Sequence, residues 1–325
     1  MAKANRKPAS QNRKPVSQNG KRATPKNPKS KSKALKLWLS GARLRTLPLA
    51  VAPVALGAGS AASLQVFSLP LTLLALAVAL FLQIGVNYAN DYSDGIRGTD
   101  DNRVGPMRLT GSKAVRAQRV KQAAFICFSI AALAGLAIVL ITQLWWLLAI
   151  GAVAIVAAWY YTGGKHPYGY AGLGEVVVFV FFGPVAVIGT AFIQIRYLDD
   201  ISILTGIAAG SFAAAVLMVN NIRDIKQDAI SRKRTLAVKL GQRWAKVAFA
   251  LLVLAPYPIL FAVNLLYPAV LPAWFTLLMV LPVVLIVSTA REAKELILAL
   301  KLTSYSALAF AVLVGWGLYK ISSPF

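Results

Sequence analysis

The sequence predicts an all-α protein whose helices cross a membrane several times. Of its 325 residues, 58% are hydrophobic and only 14% are charged, whereas soluble domains carry roughly 25% charged residues. The mean hydropathy is +0.63. Apolar runs of about 20 residues, the length that spans a hydrocarbon core, recur from Leu44 to the C-terminus. These observations indicate a polytopic membrane protein.

The first part of the chain differs from the rest. Residues 1–36 contain 12 Lys or Arg and no acidic residue. This composition cannot form a hydrophobic core, so we predict a disordered basic cytoplasmic tail over residues 1–36 and a transmembrane domain over residues 37–325. The tail either reinforces the topology or binds anionic lipid, at roughly 1 kcal/mol per basic residue close to the surface.

Nine apolar segments follow the tail, and we predict that each is a transmembrane helix. Several contain proline, which membrane helices tolerate when neighbouring groups satisfy the freed carbonyls. The segments cover residues 44–64, 70–90, 118–141, 144–162, 173–194, 201–221, 245–265, 269–289 and 301–320.

The distribution of basic residues predicts the orientation in the membrane. With the N-terminus in the cytoplasm, 33 of the 35 Lys and Arg residues fall on the cytoplasmic side. Only Arg196 and Lys320 fall on the other side. The reversed orientation would invert this ratio, so we predict a multi-pass protein of the cell (plasma) membrane with a cytoplasmic N-terminus.

Composition also excludes several classes of function. The formal net charge is +24, but the basic residues lie between apolar runs and not on one folded face, so we expect no nucleic-acid partner. The chain has a single cysteine, Cys127, and a single histidine, His166. An intrachain disulfide and a histidine-based metal cluster are therefore impossible.

The scarce acidic residues cluster in two segments. Six of the 11 lie between residues 91 and 101 or between residues 224 and 228, after the second and sixth apolar segments. An even number of crossings separates the two segments, so both open on the cytoplasmic face. Each segment also contains two Asp three or four residues apart, a spacing that places both carboxylates on one face of a helix. These pairs are Asp91 with Asp94 and Asp224 with Asp228.

Four carboxylates at one end of a helix bundle repel each other unless cations lie among them. Hard oxygen ligands at these spacings suit Mg²⁺, which binds through a few carboxylates together with substrate phosphates. Acids that hold Mg²⁺ beside bases that hold phosphate form a diphosphate site. The alternative is that the charges are solvated loop residues that fix topology, which suits the bases better than the scarce acids. The nearby bases are Arg97, Arg103, Arg108, Lys113, Arg223, Lys226, Lys233 and Arg234.

These motifs resemble those of the UbiA superfamily of intramembrane prenyltransferases. The resemblance rests on the segment from Asn90 to Asp94 combined with Asp224 and Asp228. Further segments resemble the branch that prenylates 1,4-dihydroxy-2-naphthoate in menaquinone synthesis, and the match runs from about residue 38 to the end. These further segments are Gly41–Pro48, Gly98–Arg108, Tyr161–Gly169, Asn220–Asp224 and Arg234–Leu236.

The resemblance implies nine transmembrane helices around a central cavity and assigns roles to individual residues. It implies that the four Asp of the two pairs hold Mg²⁺ against polyprenyl diphosphate, with Lys165 as a further catalytic residue. In the simplest superfamily pattern the next acid follows Asp94 by four residues, whereas Asp100 follows it by six. This difference leaves the role of Asp100 open between metal ligand, acceptor ligand and loop cap. The substrate-binding residues implied or considered are Asn87, Asn90, Arg43, Arg45, Arg97, Asp100, Arg108, Tyr161, Glu175, Asn220, Asn221 and Arg223.

The reaction implied by the resemblance joins the prenyl group to 1,4-dihydroxy-2-naphthoate, with loss of CO₂, to give demethylmenaquinol. A basic residue must hold the carboxylate of the aromatic acceptor, and Arg43, Arg45, Lys165 and Arg223 remain open for that role. Asp100 and Glu175 are candidates for a general base. For Glu175, stabilisation of a helix N-terminus is an equal alternative.

Three alternatives remain at the level of sequence. The same chemistry on another aromatic acceptor, such as 4-hydroxybenzoate, keeps the fold and the metal. A CDP-alcohol phosphotransferase would place its acids in one compact motif, which the split pairs do not match. A membrane transporter with a cation site would place its acids near the bilayer midplane, whereas these lie at helix ends.

Overall fold

The structure is a computed structural model that describes residues 31–99 and 107–322. Within these residues the fold consists of helices and their connecting turns, with no strand. A left-handed backbone conformation at Arg43 and a helix start at Pro48 separate the helix Lys31–Ala42 from the helix Pro48–Ser63, which covers most of the first predicted segment. The α-helices are α1 Lys31–Ala42, α2 Pro48–Ser63, α3 Leu69–Arg97, α4 Ala117–Thr142, α5 Leu147–Tyr160, α6 Gly174–Val180, α7 Ala186–Ile195, α8 Asp200–Ile230, α9 Leu236–Leu254, α10 Pro256–Leu266, α11 Leu277–Thr289 and α12 Glu295–Ser322.

Shorter turns connect several of these helices. A π-helical turn over Phe181–Val185 joins α6 to α7 and contains Pro184. The missing N–H of this proline is accommodated by the wider turn. Turns of 3₁₀ helix cover Leu44–Thr46, Tyr168–Tyr170 and Pro268–Thr276.

The prediction of an all-helical membrane protein is confirmed. Each of the nine predicted segments overlaps a helix, but the count of nine spans is not confirmed. In the described part of the chain, seven helical segments are long and apolar enough to cross a membrane. An eighth is counted if Ala34–Thr46 and Pro48–Ser63, which meet at a bend of 50°, form one span. The remaining segment, α5, has only 14 residues, fewer than the usual spanning length.

The predicted tail lies mostly outside the described residues. Residues 1–30 belong to that part of the chain. Helix α1 begins at Lys31, before the predicted end of the tail at residue 36. It leads directly into the bend before α2, so the end of the predicted tail is helical from Lys31 onward.

Glycine allows the helices of the core to approach closely. A Cβ atom on Gly59 would lie 2.6 Å from the Cα atom of Gly315, so α2 and α12 meet backbone to backbone. A Cβ atom on Gly210 of α8 would lie 2.5 Å from the carbonyl oxygen of Phe179. In lipid there is no hydrophobic driving force between helices, so close packing at small residues stabilises such crossings.

A cavity of about 550 Å³ lies between α2, α3, α4, α5, the α6–α7 segment and α8. Its volume falls within the range of roughly 300–1,000 Å³ typical of ligand sites. Most of the wall is apolar, but one end carries polar and charged side chains. We call this end the polar end, defined by Asn87, Asn90, Asp94, Arg108, Asn220, Asn221 and Lys233.

Candidate active site

The last turns of α3 supply the first group of polar residues. Asn90 and Asp91 each lie three or four residues from both Asn87 and Asp94, so all four share one buried face of the helix. Their exposed fractions are only 3%, 7%, 1% and 4%. Burying two carboxylates in this way is costly unless each is paired or hydrogen-bonded, and the structure provides a different partner for each.

Asp91 holds the loop that follows α3. Its two carboxylate oxygens accept hydrogen bonds of 2.8 Å from the backbone N–H groups of Leu109 and Thr110. The loop can approach because Gly95 has no side chain: a Cβ atom there would lie 2.5 Å from Cβ of Thr110. Asp91 therefore fixes the segment that carries Arg108.

Asp94 faces the cavity and contacts two side chains from elsewhere. The hydroxyl of Tyr170 donates a hydrogen bond of 2.6 Å to Asp94 Oδ1, and Arg108 Nη2 lies 3.9 Å from Oδ2. Burial, followed by the negative charge of Asp94, raises the pKa of Tyr170. The phenol therefore stays protonated at neutral pH and acts as a donor.

The end of α8 supplies the second group. Arg223 donates to both carboxylate oxygens of Asp224, from Nε at 2.8 Å and from Nη2 at 2.7 Å. Nη2 also donates to Asn220 Oδ1 at 2.8 Å. Asp228, one helical turn after Asp224, lies 3.8 Å from Lys233 Nζ. Each buried acid of this segment is thus neutralised by a base from the same segment.

Tyr170 connects the two acidic segments. Its hydroxyl binds Asp94 on α3, while Lys233, the partner of Asp228, lies 5.0 Å from the centroid of its ring. Its carbonyl oxygen accepts a hydrogen bond of 2.9 Å from the N–H of Arg234. Arg97 lies 5.4 Å from the ring centroid, within the range of cation–π attraction. The acidic ends of α3 and α8 therefore meet around one side chain of the loop between α5 and α6.

The bent segment before α2 is tied to α3 by Asn87. Its Nδ2 donates to the carbonyl oxygen of Ala42 at 2.9 Å and to Thr46 Oγ1 at 3.3 Å. This places Arg43 in the cavity wall. The Nη2 atom of Arg43 is buried and has no hydrogen-bond partner among the described residues, so the guanidinium is available to an anionic ligand.

The loop after α5 is tied to α3 in the same way. Thr162 Oγ1 donates a hydrogen bond of 2.7 Å to Asn90 Oδ1. Arg97 donates to the carbonyl oxygens of Thr162 and Gly164. These contacts hold Tyr161 in the cavity wall.

Glu175 is buried at the start of α6 beside this site. Asn221 Nδ2 donates a hydrogen bond of 2.9 Å to its Oε1. Its Oε2 is buried without a hydrogen-bond partner in the part of the chain that the structure describes. Glu175 does not itself line the cavity, but Asn221 and Tyr161, which it adjoins, do.

The structure separates the predicted site residues into three groups. Eight line the cavity: Arg43, Asn87, Asn90, Asp94, Arg108, Tyr161, Asn220 and Asn221. Six lie against these residues or hold the surrounding loops: Asp91, Arg97, Glu175, Arg223, Asp224 and Asp228. Lys165 is exposed and, like Arg45, is not part of the cavity wall. Asp100 lies outside the described residues.

Two residues with clear contacts to the site were not predicted from the sequence. Tyr170 and Thr162 each bind a polar residue of α3 from a distant part of the chain. Both lie in or beside the segment 161–169, which resembles the prenyltransferases. The available signal was the density of tyrosine there, since Tyr161, Tyr168 and Tyr170 lie within ten residues. Their partners depend on tertiary packing, which the motif does not encode.

The donor set can be compared with what a divalent cation requires. Across residues 31–99 and 107–322, no three His, Cys, Asp or Glu side chains come close enough together to hold a metal ion. The available ligand type is nevertheless the hard oxygen that Mg²⁺ prefers, supplied by Asp94 at the cavity and by Asp228 beside Lys233. The residues therefore fit Mg²⁺ in chemistry, and a basic side chain lies 3.9 Å from Asp94 and 3.8 Å from Asp228.

The arrangement suits a ligand with an anionic head and an apolar body. Arg43, Arg108 and Lys233 line the cavity, and Arg108 and Lys233 lie at its polar end, where they can bind several phosphate oxygens. The remaining wall consists largely of aliphatic side chains and aromatic rings from six helical segments, including Phe181 and Phe182. Such a site can hold a charged leaving group in place and exclude water from the carbon to which it is attached.

Comparisons with known proteins place the chain among similar sequences. The profile described as the UbiA prenyltransferase family matches residues 50–304. The chain is 46% identical to a 1,4-dihydroxy-2-naphthoate octaprenyltransferase of Mycobacterium tuberculosis over 281 residues, which cover 86% of this chain and 96% of that protein. It is 38% identical to the Escherichia coli protein of the same name, over 74% of this chain and 80% of that one.

A solved structure shares the fold at low sequence identity. It is a UbiA homolog from Archaeoglobus fulgidus bound to GPP and Mg²⁺, with a TM-score of 0.61 and 14% identity over 87% of this chain and 99% of that chain. The resemblance inferred from the two Asp motifs is thereby confirmed at the level of the family and the fold.

Proposed function

The chain belongs to the UbiA prenyltransferase family, and we propose that it transfers a polyprenyl group from polyprenyl diphosphate to 1,4-dihydroxy-2-naphthoate. The ring carboxylate leaves as CO₂, and the product is demethylmenaquinol, an intermediate of menaquinone biosynthesis. The names of the related proteins support this choice of acceptor.

The observation that carries the proposal is the polarity of the cavity. One end brings together carboxylates and bases, and the rest of the wall is apolar. A transporter site for a cation alone does not require three basic side chains in the same wall. An enzyme that ionises an allylic diphosphate requires both regions, since the head group and the chain must be bound at once.

Mg²⁺ is the cofactor of this proposal. Asp94, which lines the cavity, and Asp228, beside Lys233, would hold it, while Asp91 fixes the loop after α3 and Asp224 pairs with Arg223. Bound Mg²⁺ neutralises the diphosphate and makes it a better leaving group. The family supports this assignment, because a solved homolog carries GPP and Mg²⁺.

The basic residues of the chain bind the diphosphate and its departing charge. Arg108 and Lys233 lie beside Asp94 and Asp228 and exchange these partners for phosphate oxygens when the substrate enters. Charge builds on the oxygen that leaves, so fixed cations there stabilise the transition state more than the ground state. The allylic carbon–oxygen bond breaks with its electron pair on diphosphate, and the electron-rich ring forms the new carbon–carbon bond.

Arg43 is the residue we assign to the carboxylate of the aromatic acceptor. Of the four bases considered for this role, it lines the cavity and has a buried Nη2 without a partner among the described residues. Arg223 is engaged by Asp224 and Asn220, while Lys165 and Arg45 are not in the wall. Glu175 and Asn221 lie where they can orient a ring hydroxyl through Asn221.

The protein is a multi-pass membrane protein, and we place it in the plasma membrane with the polar end of the cavity facing the cytoplasm. The excess of basic residues in the loops at that end supports this orientation. The basic residues at the N-terminus would then lie beside the anionic cytoplasmic leaflet.

An assay of the purified protein tests the reaction and the acceptor together. The protein is incubated with Mg²⁺, a polyprenyl diphosphate and 1,4-dihydroxy-2-naphthoate, and prenylated product and CO₂ are followed in parallel. We expect equal amounts of both and loss of both when EDTA is added. Product from 4-hydroxybenzoate but not from the naphthoate would overturn the acceptor, and product from neither would overturn the reaction.

A further inference from the structure

The glycines of the membrane helices fall into two structural classes. Gly57, Gly59, Gly210 and Gly315 lie at helix crossings, where a Cβ atom would come within 2.5 to 2.7 Å of a neighbouring backbone atom. Gly151 and Gly189 have no atom within 4 Å of the Cβ position, and Gly135 has only a contact with Val78 at 4.0 Å. Packing against protein explains the first class and does not explain the second.

The second class lines the cavity from three sides. Gly135 belongs to α4, Gly151 to α5 and Gly189 to α7, and all three are part of the cavity wall. A rise of about 1.5 Å per residue places them roughly 15 to 27 Å along their helices from the polar end. They therefore border the distal, apolar part of the cavity, away from the acidic segments.

We infer that Gly135, Gly151 and Gly189 keep the distal part of the cavity open for the isoprenoid chain and thereby set the longest chain that the enzyme accepts. This inference rests on the proposed function. Glycine inside a helix costs roughly 0.5–1 kcal/mol relative to alanine, and no close neighbour at these positions requires it. The space left by the missing side chains is where a chain attached to a diphosphate at the polar end must extend.

The neighbouring wall residues fit this role. Ala152 and Ala154 on α5 and Ala186 on α7 are small, and Ile193 and Val139 are apolar. A long prenyl chain buries its surface against such side chains without any polar contact. The chain-length preference is then steric, as in other hydrophobic pockets, where added methylene groups change discrimination by about tenfold or more.

The test replaces the cavity glycines with leucine. In Gly151→Leu and Gly189→Leu the new side chain enters empty space and favours helix, so we expect both proteins to fold and to melt at or above the wild-type temperature. Ala149→Leu is the matched control, since Ala149 is an exposed residue of α5 outside the cavity wall. The full-length proteins are assayed with geranyl, farnesyl, geranylgeranyl and octaprenyl diphosphate as donors.

We expect kcat/KM for geranyl diphosphate to stay within about twofold of wild type in both leucine variants, and kcat/KM for octaprenyl diphosphate to fall by about tenfold or more. Gly189→Ala, which adds one methyl group, should lower the ratio of kcat/KM for octaprenyl diphosphate to kcat/KM for geranyl diphosphate by a smaller factor. If this ratio is unchanged in both leucine variants, the inference is overturned. The inference is also overturned if Ala149→Leu lowers the ratio as much as the cavity variants do. Failure of the proposed function is distinct: the wild-type protein would then give no product with any donor, and the inference would fall with it.

Discussion

The four aspartates that share one motif pattern have different surroundings. Asp91 is held by two backbone N–H groups and positions a loop. Asp94 faces the cavity and contacts Tyr170 and Arg108. Asp224 and Asp228 are paired with Arg223 and Lys233. Identical side chains at helical spacing therefore divide into loop-holding and ligand-facing roles, a distinction that spacing alone cannot make.

Replacement of Asp91 should affect stability more than replacement of Asp94. In Asp91→Asn, an amide N–H₂ group must face one of the two backbone donors, and a buried hydrogen bond to a charged group is lost. We expect a loss of about 1–3 kcal/mol in the free energy of unfolding and faster proteolysis within residues 107–116. Asp94→Asn should lose activity with a smaller change in stability. Equal melting temperatures for the two variants would contradict this division.

Removal of the Tyr170 hydroxyl should lower activity without unfolding the protein. In Tyr170→Phe the hydrogen bond to Asp94 is lost, and a hydrogen bond to a charged group contributes about 1.5–3 kcal/mol. If Tyr170 positions Asp94 for the reaction, kcat/KM should fall by roughly 10- to 100-fold and the Mg²⁺ concentration for half-maximal activity should rise.

The control for this variant is Tyr257→Phe. It removes another buried hydroxyl, which is hydrogen-bonded to Thr276 at 2.9 Å and lies outside the cavity wall. We expect the control to keep its Mg²⁺ dependence. A normal Mg²⁺ dependence in Tyr170→Phe would show that this hydroxyl does not position Asp94.

At the level of the helices, α8 organises the structure. It is the most buried of the long helices: 78% of an apolar 18-residue stretch of α8 lies inside the protein. Its end carries the second acidic segment, so packing of α8 fixes the position of Asp224 and Asp228. The π-helical turn of Phe181–Val185 packs against it at Gly206 and Gly210, which brings the aromatic residues of that turn beside the cavity.

A larger residue at this crossing should destabilise the protein. In Gly210→Val, the added carbon would lie 2.5 Å from the carbonyl oxygen of Phe179, and relief requires backbone movement. We expect a loss of about 1–3 kcal/mol, as for other overpacked cores, measured as a lower melting temperature in detergent. Gly189→Ala, which enters open space, serves as the control. A Gly210→Val protein as stable as wild type would show that α8 and α6 can separate at this crossing without cost.

The helices were predictable because the length of an apolar run can be read locally from the sequence. The acidic segments were predictable because acidic residues are scarce in this chain. The bend before α2 and the short α5 were not predictable in the same way. The bend depends on a left-handed conformation at Arg43, which no sequence pattern marks. Likewise, the role of Asp91 depends on a loop residue 18 positions later, and that of Tyr170 depends on Asp94, a helix residue 76 positions earlier. Such contacts are decided by tertiary packing.

For the molecule as a whole, the meeting of the two acidic segments follows from topology. An even number of crossings separates α3 from α8 in the predicted arrangement, so their acidic ends lie at one end of the bundle. The structure adds the loop between α5 and α6 as the third part of the site, since it binds both ends through Tyr170. The apolar cavity then extends from this polar end into the membrane region.

The orientation of this end can be measured by cysteine labelling. In a Cys127→Ser background, Ser112→Cys places a thiol on the exposed loop after α3, and Tyr197→Cys places one between α7 and α8 at the opposite end. We expect a membrane-impermeant maleimide added to intact cells to label position 197 and not position 112, because basic loops stay in the cytoplasm. Labelling of position 112 alone would contradict the proposed orientation.

The measurement that tests the central claim most directly is Mg²⁺-dependent prenyl transfer to 1,4-dihydroxy-2-naphthoate by Asp94→Asn and Asp228→Asn, each compared with wild type. If the ends of α3 and α8 form one reaction site, both variants should remain folded and lose turnover by about a hundredfold or more, the size expected when a group that stabilises the transition state is removed. Near-normal turnover in either variant would contradict the claim that the two acidic segments act together.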